Sequence, residues 1–186
     1  MIKKLCVAFF AMGMLGVVQA QDVKLGVKLG MNISSLNGNE DNLDPKDGWV
    51  LGATAEVALT EKFSLQPELL YSQQGAKSRG NFIYDLNYVT MPIMAKYYIA
   101  EGFSLEAGPQ LSFLVRDELV SDNANSGSLT ANPNSENLDV ALNFGLGYQL
   151  NKRFSVQTRY SVGTMDVDES TGVKNGVFQM TLGYHF

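Results

Sequence analysis

Eight segments of this chain alternate apolar and polar residues one for one, and no other feature restricts its fold so tightly. Successive side chains of a strand point to opposite faces, so strict alternation makes a ribbon with one apolar and one polar face. The last segment, Val177–Phe186, sets Phe178, Met180, Leu182, Tyr184 and Phe186 against Gln179, Thr181, Gly183 and His185. The other seven are Val23–Ile33, Gly48–Leu59, Phe63–Gln74, about Tyr84–Ile99, Phe103–Arg116, Leu138–Leu150 and Phe154–Thr164.

The connections alternate in length. Thr60-Glu61, Ala100-Glu101 and Asn151-Lys152 have the length of tight hairpin turns, whereas 34–47, 75–83, 118–136 and 167–174 are longer and rich in Asn, Asp, Ser and Gly. Short turns at one end and long loops at the other describe an up-and-down barrel of the outer-membrane kind. Strands of about 10–13 residues, rising about 3.3 Å each and tilted about 40°, span roughly 25–33 Å, the depth of a hydrocarbon layer. The expected fold is therefore all-β: an eight-stranded antiparallel up-and-down transmembrane β-barrel.

The polar faces distinguish this arrangement from a soluble barrel, which would keep its apolar face inward. Lys24, Lys28, Glu56, Glu68, Lys96, Glu106, Arg116, Asp139 and Arg159 fall on them with several glutamines and glycines. As an exterior this set is poor in charge; as an interior, its long charges can pair across a lumen in which the glycines leave room. These nine residues are the expected lumen charge network. Three prolines within strands, Pro67, Pro92 and Pro109, each remove a ladder donor in a closed sheet, so local bulges are expected there, with the parity of the fourth strand at stake.

A threefold repeat follows the short turns: Lys62-Phe63-Ser64-Leu65-Gln66, Gly102-Phe103-Ser104-Leu105-Glu106 and Arg153-Phe154-Ser155-Val156-Gln157. With Tyr97, Tyr148, Tyr184 and Phe186, the repeated Phe63, Phe103 and Phe154 would ring one rim. Trp49, Tyr71, Phe113, Tyr160 and Phe178 lie towards the other. Aromatic rings prefer the headgroup level, so two belts bounding an apolar band fit a membrane interface.

Residues 1–20 have the layout of a signal peptide: Lys3 and Lys4, an apolar run from Leu5 to Val18, and the small-residue site Val18-Gln19-Ala20. A mature domain of 21–186 is expected. Cys6, the single cysteine, would leave with the leader, so no disulfide supports the fold. Removing Lys3 and Lys4 takes the 14 basic residues to 12 against 19 acidic ones, a formal charge of −7, which argues against nucleic acid as a partner. No later segment reaches 18 uninterrupted apolar residues, so a transmembrane helix is not expected.

Five segments in order then resemble one family: F-S-L-Q-P-E-L-L-Y-S-Q-Q-G at 63–75, L-N-Y-V-T-M-P-I-M-A-K-Y-Y at 86–98, A-G-P-Q-L at 107–111, F-G-L-G-Y-Q-L at 144–150 and V-F-Q-M-T-L-G-Y-H-F at 177–186. The chain resembles the PorT-like outer-membrane β-barrel proteins, often labelled porin family or outer-membrane protein β-barrel domain. The resemblance spans the mature chain and implies the eight-stranded barrel. It implies little about activity, because most members have no assigned biochemical role.

Nothing in the sequence points to an enzyme. The one histidine, His185, is penultimate, and a catalytic role would need a Ser and an acid placed beside it. No Cys/His metal pattern occurs, and no cofactor is expected. Glu40, Asp41, Asp44 and Asp47, and again Asp166, Asp168 and Glu169, cluster in long loops without EF-hand spacing, so they read as solvated acidic loops. Two functions remain: a structural or binding barrel that meets an unidentified extracellular ligand through its long loops, or a narrow channel or secretion-system accessory. The first is favoured, because side chains can fill the interior of an eight-stranded barrel. Expected partners are outer-membrane lipid and, through the C-terminal strand, the outer-membrane assembly machinery; a monomer is expected.

Overall fold

The computed structural model describes residues 23–37, 43–78, 82–121, 138–168 and 173–186; the expected leader, the middles of the long loops, and with them Glu40, Asp41 and Glu169, lie outside these. Eight strands follow in chain order: β1 Val23–Asn37, β2 Leu43–Ala58, β3 Phe63–Ser78, β4 Phe82–Ala100, β5 Phe103–Ser121, β6 Leu138–Gln149, β7 Phe154–Asp168 and β8 Val173–His185. Each pairs antiparallel with its neighbours in sequence, and β1 pairs with β8 to close the barrel. Phe186 N donates to Leu25 O at 2.9 Å, so pairing continues to the final residue. No helix occurs among the described residues.

The alternation sorts inside from outside throughout the membrane-depth part of the wall. On β1, Leu25, Val27, Leu29, Met31 and Ile33 are exposed, whereas Lys28, Asn32 and Ser34 are buried. The lumen is therefore the molecule's core, and it is mostly polar. Its apolar members include Val50, Leu70 and Met94, each almost fully buried. In β4, Thr90, Pro92, Met94 and Lys96 point inward and Tyr97 and Ile99 outward, as the alternation predicts.

Two expectations need correction. The prolines cause no bulge. Pairing skips two positions on one flank of each: Pro67 on its β2 side, Pro92 on its β3 side and Pro109 on its β4 side. The register then resumes unshifted. A proline removes one donor, and in an antiparallel ladder that donor serves one neighbour only, so a local gap is sufficient. The register shifts occur elsewhere, between Pro45 and Val50, Asn87 and Tyr88, Tyr98 and Ala100, and from Val162 to Asp168.

The strands also run well beyond the expected loop boundaries, β1 to Asn37, β2 from Leu43, β5 to Ser121 and β7 to Asp168. Above the lipid both faces of a strand meet water or protein, so nothing enforces apolar alternation there. At the opposite end the connections are as short as expected. Thr60 Oγ1 accepts from Lys62 N and Phe63 N, and Asn151 Oδ1 repeats the arrangement with Arg153 N and Phe154 N. Between β4 and β5 the turn is made by Gly102 at φ 75°, a left-handed conformation that glycine adopts without steric cost.

Candidate functional site

The lumen is crossed by one continuous ladder of ion pairs contributed by six strands. Lys28 Nζ of β1 donates to Glu68 Oε1 of β3 at 2.8 Å. Arg159 of β7 grips the same carboxylate with both terminal nitrogens, each at 2.9 Å. Its NH2 also lies 3.8 Å from Glu106 Oε2 on β5. Lys96 of β4 stands 3.8 Å from Glu106 and 2.8 Å from Glu56 of β2. Glu56 takes a second bond, at 2.5 Å, from the Tyr98 hydroxyl.

Three cations thus meet three anions, all six nearly excluded from solvent. An isolated charge at such depth would cost several kcal/mol, a cost that paired geometry and additional hydrogen bonds must offset. Glu68 is the keystone: besides Lys28 and Arg159, it accepts Gln66 Nε2 at 2.7 Å. Gln66 Oε1 in turn accepts Lys96 Nζ at 3.1 Å, and Gln157 Nε2 donates to Glu106 at 3.2 Å.

The threefold repeat positions much of this layer. It turns Phe63, Phe103 and Phe154 outward, Ser64, Ser104 and Ser155 inward, and Gln66, Glu106 and Gln157 inward one level higher. Glycine supplies the space. A Cβ on Gly147 would lie 2.4 Å from Glu106 Oε1 and 2.6 Å from Ser104 Oγ, and one on Gly183 would lie 2.6 Å from Ser155 Oγ. Towards the long loops the ladder gives way to amides and hydroxyls. Asn32 donates to Ser72 Oγ and accepts from Gln179, while Asn143 donates to Gln110 and accepts from Ser161.

Six of the nine expected network residues are therefore brought together: Lys28, Glu56, Glu68, Lys96, Glu106 and Arg159. The other three are not in the ladder. Lys24 is exposed at the short-turn mouth, although it is the cross-strand neighbour of Glu56. Arg116 is exposed beyond the shift at which Asn87 pairs Arg116 but Tyr88 pairs Leu114; the additional β5 residue upsets the expected alternation. Asp139 is half-buried at the start of β6, near the opposite mouth.

A second ion pair was not anticipated. Lys46 Nζ lies 3.0 Å from Asp85 Oδ1 and donates to Gln74 O at 3.2 Å, while Gln73 Nε2 reaches Asp85 at 3.2 Å. Lys46 falls within the expected first loop. Continuing the inward parity of Val50 and Gly48 down to 46 would have revealed it.

His185 faces inward at the floor, where its Nε2 is 3.0 Å from Ser155 Oγ. Among the described residues no carboxylate is hydrogen-bonded to it, and no group of His, Cys, Asp and Glu is placed to hold a metal. The twelve expected interface aromatics all stand on the outer wall, half-exposed or exposed. Near the short turns they pair directly across strands: Phe63 with Tyr97, Phe103 with Tyr148 and Phe154 with Tyr184, where Phe186 adds an edge contact at 5.5 Å. Towards the long loops Trp49 stacks on Tyr71 at 5.2 Å, and Tyr160 pairs with Phe178. Phe113 pairs with Val89 on β4 and with Leu138 on β6.

Comparison with known proteins supports this architecture. The chain is similar in structure to Ail, the attachment invasion locus protein of Yersinia pestis, crystallised with the heparin analogue sucrose octasulfate: TM-score 0.56 at 17% identity, over 88% of this chain and 99% of that one. Neisserial surface protein A aligns with a TM-score of 0.61 at 10% identity, over 87% of this chain and 97% of that one. At such identities the likeness concerns the fold alone. No curated protein matches the sequence. A family model, described as outer membrane protein beta-barrel domain, matches residues 19–169. The chain belongs to that outer-membrane β-barrel family, and its place is the cell outer membrane.

Proposed function

We propose that this protein is a structural or binding barrel: a filled, non-conducting plug in the outer membrane that presents its long loops to an extracellular ligand or partner. The observation that carries this reading is the ladder from Lys28 through Glu68, Arg159, Glu106 and Lys96 to Glu56, which occupies the lumen with three cations set against three anions. A conducting pore needs a continuous water path, whereas these side chains bond one another across the section a solute would use. Enzymatic activity has no support in the arrangement, because among the described residues no acid is hydrogen-bonded to the His185–Ser155 pair.

The finer resemblance to PorT-like proteins belongs to this reading and brings no activity with it. Sucrose octasulfate is a ligand of Ail; an acidic chain such as this one offers a polysulfate little matching charge, so a neutral or cationic ligand is the better expectation. The expected monomer and a C-terminal strand recognised by the assembly machinery complete the proposal. Planar-bilayer recording tests it: the folded wild-type protein should give no stable nanosiemens-scale steps. Large, long-lived openings would replace the plug with a solute channel.

A further inference from the structure

The outer wall is not uniform: a groove that combines an apolar floor with a charged end lies at the seam between β1 and β8. There Met31 and Ile33 of β1 and Phe178, Met180 and Leu182 of β8 line an open groove of about 640 Å³, to which Gly30 also contributes. Met31 and Met180 are direct cross-strand partners, 67% and 54% exposed. Their unbranched, polarisable side chains make adaptable walls. Asp47 closes the long-loop end. It pairs with Ile33 and lies two residues beyond Trp49 on the same outward face, which puts it just outside the aromatic belt.

Dimensions and charge identify the occupant. From Phe178 to Leu182 is four residue rises, roughly 13 Å along the strand. The apolar band of an outer-membrane barrel is about 25 Å tall, so the groove matches one leaflet and not the whole bilayer. An apolar trough one leaflet deep that ends at headgroup level in a carboxylate suits a single lipid. We infer that this seam groove holds one phospholipid, an acyl chain lying along Met31, Met180 and Leu182 and a primary ammonium headgroup, as in ethanolamine lipids, paired with Asp47. This site is independent of what the lumen or the loops do.

Native mass spectrometry of the folded barrel, released from membranes of equal phosphatidylethanolamine and phosphatidylglycerol with the same chains, tests the assignment. One ethanolamine lipid should be retained per barrel, in about threefold excess over the glycerol lipid, the preference one partly exposed ion pair supplies. Asp47→Asn should bring the two lipids to equal retention. Met180→Trp, which fills the trough, should remove both; Leu182→Trp serves if the first variant does not fold. Equal retention by the wild type, retention abolished by a chelator, or retention unaffected by either tryptophan would overturn the proposal. A dimer peak that Met180→Trp converts to monomer would assign the groove to a second copy of the chain instead.

Discussion

Glu68 shows how one residue can hold an interior together. It is 1% exposed and joins β1 to β7 by accepting from Lys28 and Arg159 at once. Glu68→Ala would strand two buried cations, and denaturant titration in lipid should show a loss of about 3–5 kcal/mol. The outer wall obeys a different rule. Leu142 is 46% exposed on the lipid-facing side, so Leu142→Arg should cost about 2–4 kcal/mol near the bilayer midplane. Asn143, its neighbour, would tolerate arginine better if the inward glycines left it space. They do not: Asn143 is 0% exposed and bonded to Gln110 and Ser161. Asn143→Arg should therefore destabilise at least as much as Leu142→Arg, by overpacking and an unpaired charge. Equal stability of Asn143→Arg and wild type in the same titration would show that the interior is looser than its hydrogen bonds imply.

Element by element, legibility in the sequence tracked the lipid. Where a strand crosses the bilayer, one face must be apolar, so β1, β6 and β8 could be assigned residue by residue. Above the bilayer that constraint ends, and the paired extensions of β1, β2 and β5 read as loops; Lys46 was missed for that reason, and with it the partner of Asp85, which lies inside the expected fourth strand. Bulges such as the one that displaces Arg116 leave no compositional mark, so six members of the ladder were readable and the rim positions were not. The C-terminal strand carries its own prediction. The Phe186 ring is 80% exposed, while its N–H caps the seam at Leu25 O. Its side chain therefore contributes little to the folded wall, yet Tyr184-x-Phe186 resembles an outer-membrane insertion signal. Phe186→Asp should lower the amount of barrel in the membrane severalfold and leave the unfolding midpoint of the assembled fraction nearly unchanged. Normal membrane levels would remove the signal role.

At the scale of the molecule, export comes first. The layout Lys3, Lys4, Leu5–Val18, Val18-Gln19-Ala20 predicts processing after Ala20, and N-terminal sequencing of the membrane-extracted protein should begin at Gln21. A retained Met1 would refute it. The β1–β8 seam then has a consequence for the order of events. Gln179 donates to Asn32 across 147 positions of sequence, and no wall is complete until β8 arrives. A ribosome releases β1 first and β8 last, so every partly made chain has two unsatisfied strand edges, and until β7 emerges Glu68 lacks Arg159. Such a chain cannot fold progressively as it emerges, since the contacts that reward folding are the most distant ones. It must cross the inner membrane unfolded and remain so until all eight strands are available together. Assembly therefore tests the integrity of the message, because a chain truncated before its last strand has no partner for β1.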